Sequence, residues 1–410
     1  MKRLRVLMFG WEFPPFNSGG LGVACEGLAT ALGKENVEIT FVLPQTTPTP
    51  ELHNVSFRHG DTCGSHITFR PVQSWLLPYD TTDSYSNRLK GSGAPNDLYE
   101  AVLHYSKQAA AIARQEDFDV IHAHDWLSFG AGLAAKRVSG KPLILHVHAT
   151  EFDRTGGKGN ELIHKLEQEG LRAADHIITV SNFTKEKVSK HYDINTEKID
   201  VVHNGVDFKA PAKELKRTLR HLKHNGDSIV LFLGRITLQK GPDYFIEAAK
   251  QVINVRPNTT FIMGGSGDMH TDMMHKAAAL GIGEHVLFPG FVRGADLHAL
   301  YAAADLYVMP SVSEPFGIVA LEALSKQTPI LISKQSGVSE VIAHALKTDF
   351  WNTKDMANKI IAALDDDTLR TQLAQKGGEE VKGVTWEKAA KACKNIYNKI
   401  IKHLRRNSDQ

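Results

Sequence analysis

The chain has 410 residues, of which 42% are hydrophobic and 23% are charged, so it reads as an ordinary globular protein with room for two domains. Its 48 basic and 46 acidic residues leave a net charge of +2, which excludes a general electrostatic attraction to nucleic acid. Three widely separated cysteines argue against a disulfide framework and favour the cytoplasm. No apolar run reaches the length of a membrane span, and the first apolar run is too short for a signal peptide.

The first half of the chain alternates predicted strands with predicted helices. A strand at residues 6–9 leads into the glycines Gly19, Gly20 and Gly22, and further strands are predicted at 39–43, 67–70, 120–123, 143–147 and 177–180. This alternation predicts an α/β domain with a doubly wound, mostly parallel sheet. Residues 45–65 and 74–97 are rich in polar and turn residues and are predicted to be long loops, either for acceptor recognition or simply solvated.

Four histidines stand at the ends of two predicted strands, in the pairs His122 and His124, and His146 and His148. Because side chains alternate along a strand, the members of each pair share a face. Two such pairs could ligate a metal. We nevertheless expect no metal site. A convincing Asp-x-Asp metal motif is also missing from the chain.

A second alternating series begins at residue 228. The strand at 228–233 runs into a loop that carries Arg235 and Lys240, and this pair of cations could clamp a diphosphate. A later strand, at 304–310, and a helix at 318–324 flank Glu314. The sequence therefore predicts that both cations and Glu314 lie near strand ends in a second domain.

Glu314 and Glu322 are eight residues apart. If the whole interval were helical they would be separated by ~12 Å, about the span from a nucleotide's phosphate to its sugar. The backbone N–H groups around the helix start form a predicted anion site; they belong to Phe316, Gly317, Ile318 and Val319. The alternative is that Glu314 only caps the helix and Glu322 is a solvated surface charge.

These motifs resemble those of the retaining glycosyltransferases of the GT-B fold (family 4 type), which include the glycogen and starch synthases. Glu314 and Glu322 match the family's E-x7-E signature, and the run from Gly234 to Gly241 matches its arginine and lysine pair position by position. The resemblance covers nearly the whole chain. It implies two Rossmann-like domains that face a central cleft, with a C-terminal helix that crosses back to the first domain.

The resemblance also implies roles for the residues. His148 would touch the donor sugar beside the reacting carbon, and Asp153 and Arg154 would lie toward the acceptor. Arg235 and Lys240 would offset the charge on the leaving diphosphate. The remaining donor contacts would come from Glu314, from Glu322, from the N–H groups that follow Glu314, and from Gly19 and Gly20. Ser18 stands where related synthases usually carry a lysine.

The domains are predicted at residues 1–205, 206–384 and 385–410, the last being an amphipathic helix that packs on the first domain or lies on an anionic membrane. The predicted activity is transfer of glucose from UDP-glucose or ADP-glucose to an α-glucan, with no further cofactor. The alternatives are a transferase for a lipid-linked or small acceptor, and a catalytically silent sugar-binding subunit. The nucleobase, uracil or adenine, stays open.

Overall fold

The computed structural model describes residues 3–14, 19–45, 66–73, 97–157, 159–208 and 226–408. The predicted long loops at 45–65 and 74–97 fall almost entirely outside these residues. Ser18 and residues 209–224, a basic stretch whose spacing favours a solvated helix over a contact with an anionic partner, lie wholly outside them.

Strands and helices alternate along the chain, as predicted. The strands are β1 Leu4–Phe9, β2 Val37–Gln45, β3 Ile67–Gln73, β4 Val120–His124, β5 Leu143–Val147, β6 His176–Thr179, β7 Ile199–Val201, β8 Ser228–Leu233, β9 Thr259–Gly264, β10 Val286–Gly290, β11 Leu306–Met309, β12 Ile330–Ser333 and β13 Leu346–Thr348. The helices are α1 Gly20–Lys34, α2 Leu98–Gln115, α3 Trp126–Ser139, α4 Glu151–Thr155, α5 Glu161–Ala173, α6 Asn182–Tyr192, α7 Pro242–Ile253, α8 His270–Ala279, α9 Ala295–Ala303, α10 Ile318–Ser325, α11 Thr353–Asp365, α12 Asp367–Val381 and α13 Trp386–Ser408.

The first sheet has seven strands in the order β3-β2-β1-β4-β5-β6-β7, and all the pairings are parallel. Strands β4 and β5 are buried along their whole length, as expected for a parallel sheet covered by helices on both faces. The strand order reverses between β1 and β4, where Val6 pairs with Val120. In such sheets this reversal opens a crevice at the carboxyl ends of the strands.

The second sheet has six parallel strands in the order β10-β9-β8-β11-β12-β13. Its core contains Phe232, Phe245 and Phe261, which pack edge to face or tilted with ring centroids about 5.4–5.5 Å apart. The strand order reverses between β8 and β11. The predicted doubly wound α/β architecture is therefore confirmed in both sheets.

The chain divides into two compact units. The first unit comprises Met1–Glu151, Asn160–Gly205 and Trp386–Gln410, and the second comprises Phe152–Gly159 and Val206–Thr385. The short segment Phe152–Gly159 lies inside the predicted first domain in sequence, but it groups with the second unit by its contacts.

Helix α13 belongs to the first unit and packs on α1. Trp386 is 8% exposed and lies against Gly27 of α1, while Lys34 pairs with Glu387 at 3.0 Å. The apolar face of α13 is largely buried, with Cys393 and Tyr397 fully inaccessible. Among the described residues, no helix combines the length and the apolarity needed to cross a bilayer.

The docking of α13 predicts an unusual response to a helix-favouring substitution. A Cβ added at Gly27 would lie 2.2 Å from Cε2 of Trp386, so Gly27→Ala must displace the indole, although alanine is the better helix former. We expect a loss of about 1–3 kcal/mol in the free energy of unfolding, measured by chemical denaturation. Gly20→Ala in the same helix is the matched control, because its Cβ would meet nothing within 4 Å. Equal stability of the two variants would contradict the packing described.

Candidate functional site

The predicted cations and Glu314 meet at the strand reversal of the second sheet. Strand β8 ends at Leu233, and the chain continues directly into Gly234 and Arg235. The neighbouring strand β11 ends at Met309, and the chain continues through Ser311 to Glu314. Both loops therefore leave the sheet at the edge where parallel α/β sheets bind ligands.

Lys240 and Glu314 form an ion pair in this place. The Lys240 ammonium donates to Oε2 of Glu314 at 2.6 Å, and the Ser311 hydroxyl donates to the same oxygen at 3.1 Å. The side chains are only 19% and 7% exposed, so the pair is largely shielded from water. Burying a carboxylate this deeply is costly unless its oxygens have hydrogen-bond partners of this kind.

The backbone of Glu314 is held independently of its side chain. Its N–H donates to the carbonyl of Gln335, its own carbonyl accepts from Gly337, and the residue forms an isolated parallel bridge with Ser336. Helix α10 begins only at Ile318, and its N-cap is Gly317. The predicted helix start at Ile318 is confirmed, so Glu314 does not act as the helix cap. The residues from Glu314 to Gly317 are not helical, and the ~12 Å spacing calculated for a continuous helix does not apply.

Gln239 connects the two loops, and sequence reasoning missed it. Its side-chain oxygen accepts from Arg235 at 3.0 Å, and its amide nitrogen donates to the carbonyl of Ser313 at 3.2 Å. Its backbone carbonyl accepts from the N–H of Val312 at 3.0 Å. The side chain is 3% exposed. Gln239 thus holds the guanidinium of Arg235 beside the Glu314 loop, in a way that no motif spacing reveals.

Asp153 also belongs to this region. Its carboxylate accepts a hydrogen bond of 2.5 Å from the hydroxyl of Ser313, the residue before Glu314. Asp153 is 1% exposed and lies in the segment Phe152–Gly159, which groups with the second unit. The carboxylate of Asp153 is therefore bonded to the residue that immediately precedes Glu314 in the chain.

Two glycines make the close approach of these loops possible. Gly241 has φ of 63°, and a Cβ there would lie 2.2 Å from the carbonyl oxygen of Pro310. Gly317 has φ of 111°, and a Cβ there would lie 3.0 Å from Met309 and 3.3 Å from Glu314. Both positions combine a left-handed backbone with a crowded surround, which only glycine accommodates without strain.

Glu322 is not a solvated surface charge. Its Oε2 accepts a hydrogen bond of 2.9 Å from the hydroxyl of Tyr301, a residue that is 0% exposed. Burial raises the pKa of Glu322, and the bond from Tyr301 partly offsets that rise.

In the first unit, the predicted glycine loop lies at the start of α1. The N-cap is Gly19, and a Cβ at Gly20 would meet nothing within 4 Å. The N–H of Gly22, however, donates to the carboxylate of Glu12 at 2.7 Å, and Glu12 is 1% exposed. One N–H of this helix start is thus already satisfied by an internal carboxylate, which the sequence pattern did not reveal.

His148 is partly buried at the carboxyl end of β5. Its Nε2 lies 2.9 Å from Nδ1 of His124, and its backbone N–H donates to Oδ1 of Asp125 at 2.7 Å. Burial, together with the neighbouring His122, lowers the pKa of His148 to about 3. The imidazole is therefore neutral at physiological pH.

The other three histidines form a fully buried group. Each of His122, His124 and His146 offers a ring nitrogen within 4.8 Å of those of the others, a spacing compatible with metal ligation. Burial lowers the pKa of all three well below 6.5. His122 also lies 2.6 Å from the hydroxyl of Tyr397 on α13.

Comparison with known families gives a consistent picture. The family described as Glycosyltransferase Family 4 matches residues 18–210, and that described as Glycosyl transferases group 1 matches residues 216–380. An uncharacterised glycosyltransferase of Methanocaldococcus jannaschii is 30% identical over 96% of this chain and 98% of its own length. A glycogen synthase of Mycobacterium tuberculosis is 26% identical over 96% and 94%. An Escherichia coli galactosyltransferase for a diphosphoundecaprenol-linked acceptor is 28% identical over 71% and 78%.

Solved structures share the fold. Sucrose-phosphate synthase from Thermosynechococcus elongatus superimposes with a TM-score of 0.79 at 19% identity, covering 98% of this chain and 100% of that chain. An Anabaena protein solved in complex with UDP-glucose gives a TM-score of 0.71 at 18% identity, again over 98% and 100%. At these identities the likeness shows the fold alone.

The Lys240 and Glu314 pair predicts non-additive stability changes. Lys240→Met leaves a buried carboxylate without its cation and should lower the free energy of unfolding by about 3 kcal/mol, whereas adding Glu314→Gln should recover part of that loss. Chemical denaturation of the two single variants and the double variant gives the coupling energy. The exposed pair Lys334 and Asp349, at 2.9 Å, is the control and should couple by under about 1 kcal/mol. Additive effects at Lys240 and Glu314 would refute the contact.

The buried histidines predict a stability that falls in acid. Because folding lowers their pKa below the ordinary 6.5, the unfolded chain binds more protons below that pH, and stability is complete above pH 6.5 and declines beneath it. Each such histidine contributes up to about 1.4 kcal/mol per pH unit. Replacing His122 by Phe should lower the slope of unfolding free energy against pH by about that amount. The exposed His275, changed to Gln, is the control; an unchanged slope in the His122 variant would disprove the assignment.

Proposed function

The chain belongs to the glycosyltransferases of group 1 and family 4, and from this premise we propose that it transfers glucose from a nucleotide diphosphate to an α-glucan with retention of configuration, in the manner of a glycogen synthase. The observation that carries the proposal is the meeting of Arg235, Lys240 and Glu314 at the strand reversal of the second sheet. An anionic donor with sugar hydroxyls is the ligand that this combination of charges suits.

We assign the two oxygens of Glu314 different tasks. Both contacts described above, from Lys240 and from Ser311, use Oε2. Oε1 then accepts hydrogen bonds from hydroxyls of the donor sugar, while the N–H groups at the start of α10 add positive potential for the diphosphate. Those groups belong to the residues predicted from sequence, Phe316, Gly317, Ile318 and Val319. The carboxylate of Glu322, positioned by Tyr301, accepts hydrogen bonds from hydroxyls of the ribose of the donor nucleotide.

Arg235 and Lys240 stabilise the leaving diphosphate. Gln239 holds Arg235, and Glu314 holds Lys240, so neither cation has to be ordered when the ligand arrives. Preorganised charges of this kind act mainly on the transition state, where negative charge develops on the leaving oxygen. In the first unit we assign Gly19 and Gly20 to the diphosphate and the neutral His148 to the donor sugar.

We propose a front-face displacement for the chemical step. The bond between the anomeric carbon and the phosphate oxygen breaks, and the acceptor hydroxyl bonds to that carbon on the same face. The acceptor proton passes to an oxygen of the leaving diphosphate, so no side chain has to act as base. Asp153 is engaged by Ser313 and Glu151 accepts from the N–H of Asn160, which makes a covalent role for either carboxylate the lesser alternative.

The packing of α13 supports a glucan acceptor over a membrane-bound one. Its apolar face is buried against the first unit, so this face is already occupied and cannot enter a bilayer without detaching. The similarity to an enzyme for a diphosphoundecaprenol-linked acceptor keeps a lipid-linked acceptor as the second candidate.

Incubation with UDP-glucose or ADP-glucose plus glycogen tests the activity directly. We expect released nucleotide, and an α-linked product by proton NMR, with one of the two donors. Arg235→Ala and Glu314→Gln should each lower kcat by about 100-fold or more, because each removes a group that acts on developing charge or on the sugar. Lys334→Met, which disrupts an exposed ion pair of the same unit, should leave kcat unchanged.

Three outcomes would contradict the proposal in different ways. Turnover with neither donor would exclude the synthase assignment, and nucleotide binding without turnover on any acceptor would indicate a silent sugar-binding subunit. Turnover only with a polyprenyl-linked acceptor, together with retention on anionic liposomes that is lost when residues 386–410 are removed, would favour the second candidate.

A further inference from the structure

The four histidines of the first unit form an ordered array. His124 on β4 is in register with His146 on β5, and alternation along each strand places all four imidazoles on one face of the sheet. His122 and His124 stack with ring centroids 4.4 Å apart, and His146 and His148 stack at 4.3 Å. The array therefore has two rows, one joining His122 to His146 and the other joining His124 to His148.

Within each row the imidazoles face each other through their nitrogens. His122 Nε2 and His146 Nδ1 are 3.2 Å apart, with ring centroids 5.3 Å apart and planes within 13°. His124 Nδ1 and His148 Nε2 are 2.9 Å apart, with ring centroids 5.1 Å apart. In each row the distance between ring centroids exceeds the distance between the facing nitrogens by nearly the sum of the two ring radii. The two nitrogens therefore lie close to the line that joins the centroids and point nearly straight at one another. This is the geometry of an N–H···N hydrogen bond.

The same geometry argues against a metal ion. A tetrahedral ion would require the ring nitrogens to point at one common centre. The rings of His122 and His124 instead lie face to face, with planes 23° apart, and their in-plane nitrogens point at other histidines. The spacing within 4.8 Å is thus explained by two hydrogen-bonded rows.

The unpaired nitrogen of His124 decides the direction of its hydrogen bond. Among the described residues, its Nε2 is buried and has no hydrogen-bond partner. If Nε2 carried the proton, a buried N–H donor would be left unsatisfied, whereas a bare Nε2 leaves only a weak acceptor unsatisfied. Orphaned buried donors are the rarer and costlier case. The proton of His124 therefore lies on Nδ1 and is donated to Nε2 of His148.

We propose that His124 is a positioning residue that holds His148 in the tautomer protonated at Nδ1, so that His148 donates a hydrogen bond to an oxygen of the donor sugar. The tautomer follows from the array alone, and the sugar contact rests on the proposed function. Asp125 completes the arrangement by accepting from the backbone N–H groups of His148 and Ala149 at 2.7 and 3.2 Å. Asp125 itself has a positive φ of 57°, a value that residues other than glycine rarely adopt, which marks a position held by its surroundings.

Nitrogen-15 NMR of histidine-labelled protein tests the tautomer without any substrate. The signal of His148 is assigned as the one that is missing from the spectrum of His148→Asn. In the wild-type protein at pH 7 we expect this signal to show a protonated Nδ1 and a bare Nε2. His124→Phe keeps an aromatic ring at this position but removes its nitrogens. In this variant the proton of His148 should move to Nε2, the nitrogen that carries the proton in most free histidine in water. His124→Asn keeps an amide N–H where Nδ1 stood and should preserve the wild-type signal.

Tyr397→Phe is the control, because it removes a hydroxyl from the other row, 2.6 Å from His122, without touching His148. Its His148 signal should match wild type. A protonated Nε2 on His148 in the wild-type protein would overturn the proposal, and this result needs no variant to fold. A stoichiometric metal, found by elemental analysis of the wild-type protein and lost in His124→Phe, would also overturn the proposal.

Kinetics test the second half of the proposal. His124→Phe should lower kcat/KM for the donor roughly tenfold, the size expected for one hydrogen bond, while His124→Asn and Tyr397→Phe stay near wild type. Equal losses in His124→Phe and Tyr397→Phe would show a merely structural role and overturn the positioning function. If no donor supports turnover, the proposed function fails while the NMR signal still decides the tautomer.

Discussion

The reversal of strand order in a parallel sheet is the constraint on which this protein depends. Where neighbouring strands send their connections to opposite sides, the loops at their carboxyl ends separate and leave polar backbone and side chains that no helix covers. In the second sheet the reversal lies between β8 and β11, and these two strands lead to Arg235 and to Glu314. Residues 79 positions apart in sequence are thus neighbours in the fold because of topology alone.

The charges gathered there are not explained by stability. A buried ion pair loses the hydration of both partners, and replacing it with apolar residues of similar size is often neutral or stabilising. Lys240 and Glu314 nevertheless form such a pair, and Gln239, Ser311 and the bridge to Ser336 add further contacts that fix it. This much buried polar structure is more readily understood as a preorganised binding surface than as a means of holding the sheet together.

The sequence was informative where chemistry is tied to a motif and uninformative where it depends on long-range packing. Strand alternation predicted both sheets, and the spacing of Arg235 and Lys240 placed them correctly after β8. The contact between Asp153 and Ser313, 160 residues apart, has no local signal. Neither does the bond from Gly22 to Glu12, which satisfies part of a helix start that looked open to a phosphate. The ~12 Å spacing calculated for a continuous helix between Glu314 and Glu322 does not apply, because Gly317, with its positive φ, is the N-cap of a helix that begins four residues after Glu314.

The histidine array illustrates how a fold can prepare a neutral ligand. A lone imidazole at the surface is partly protonated near neutral pH and exchanges between tautomers, so it offers a ligand two different hydrogen-bonding patterns and a variable charge. Burial removes the charge, and the hydrogen bond from His124 removes the tautomeric choice. Two buried ring nitrogens, one on His124 and one on His146, have no hydrogen-bond partner among the described residues. An unsatisfied buried polar atom costs free energy even where it is only an acceptor. An apolar core would avoid that cost, so the array is best explained by the requirement for one imidazole, that of His148, with a fixed donor and no charge.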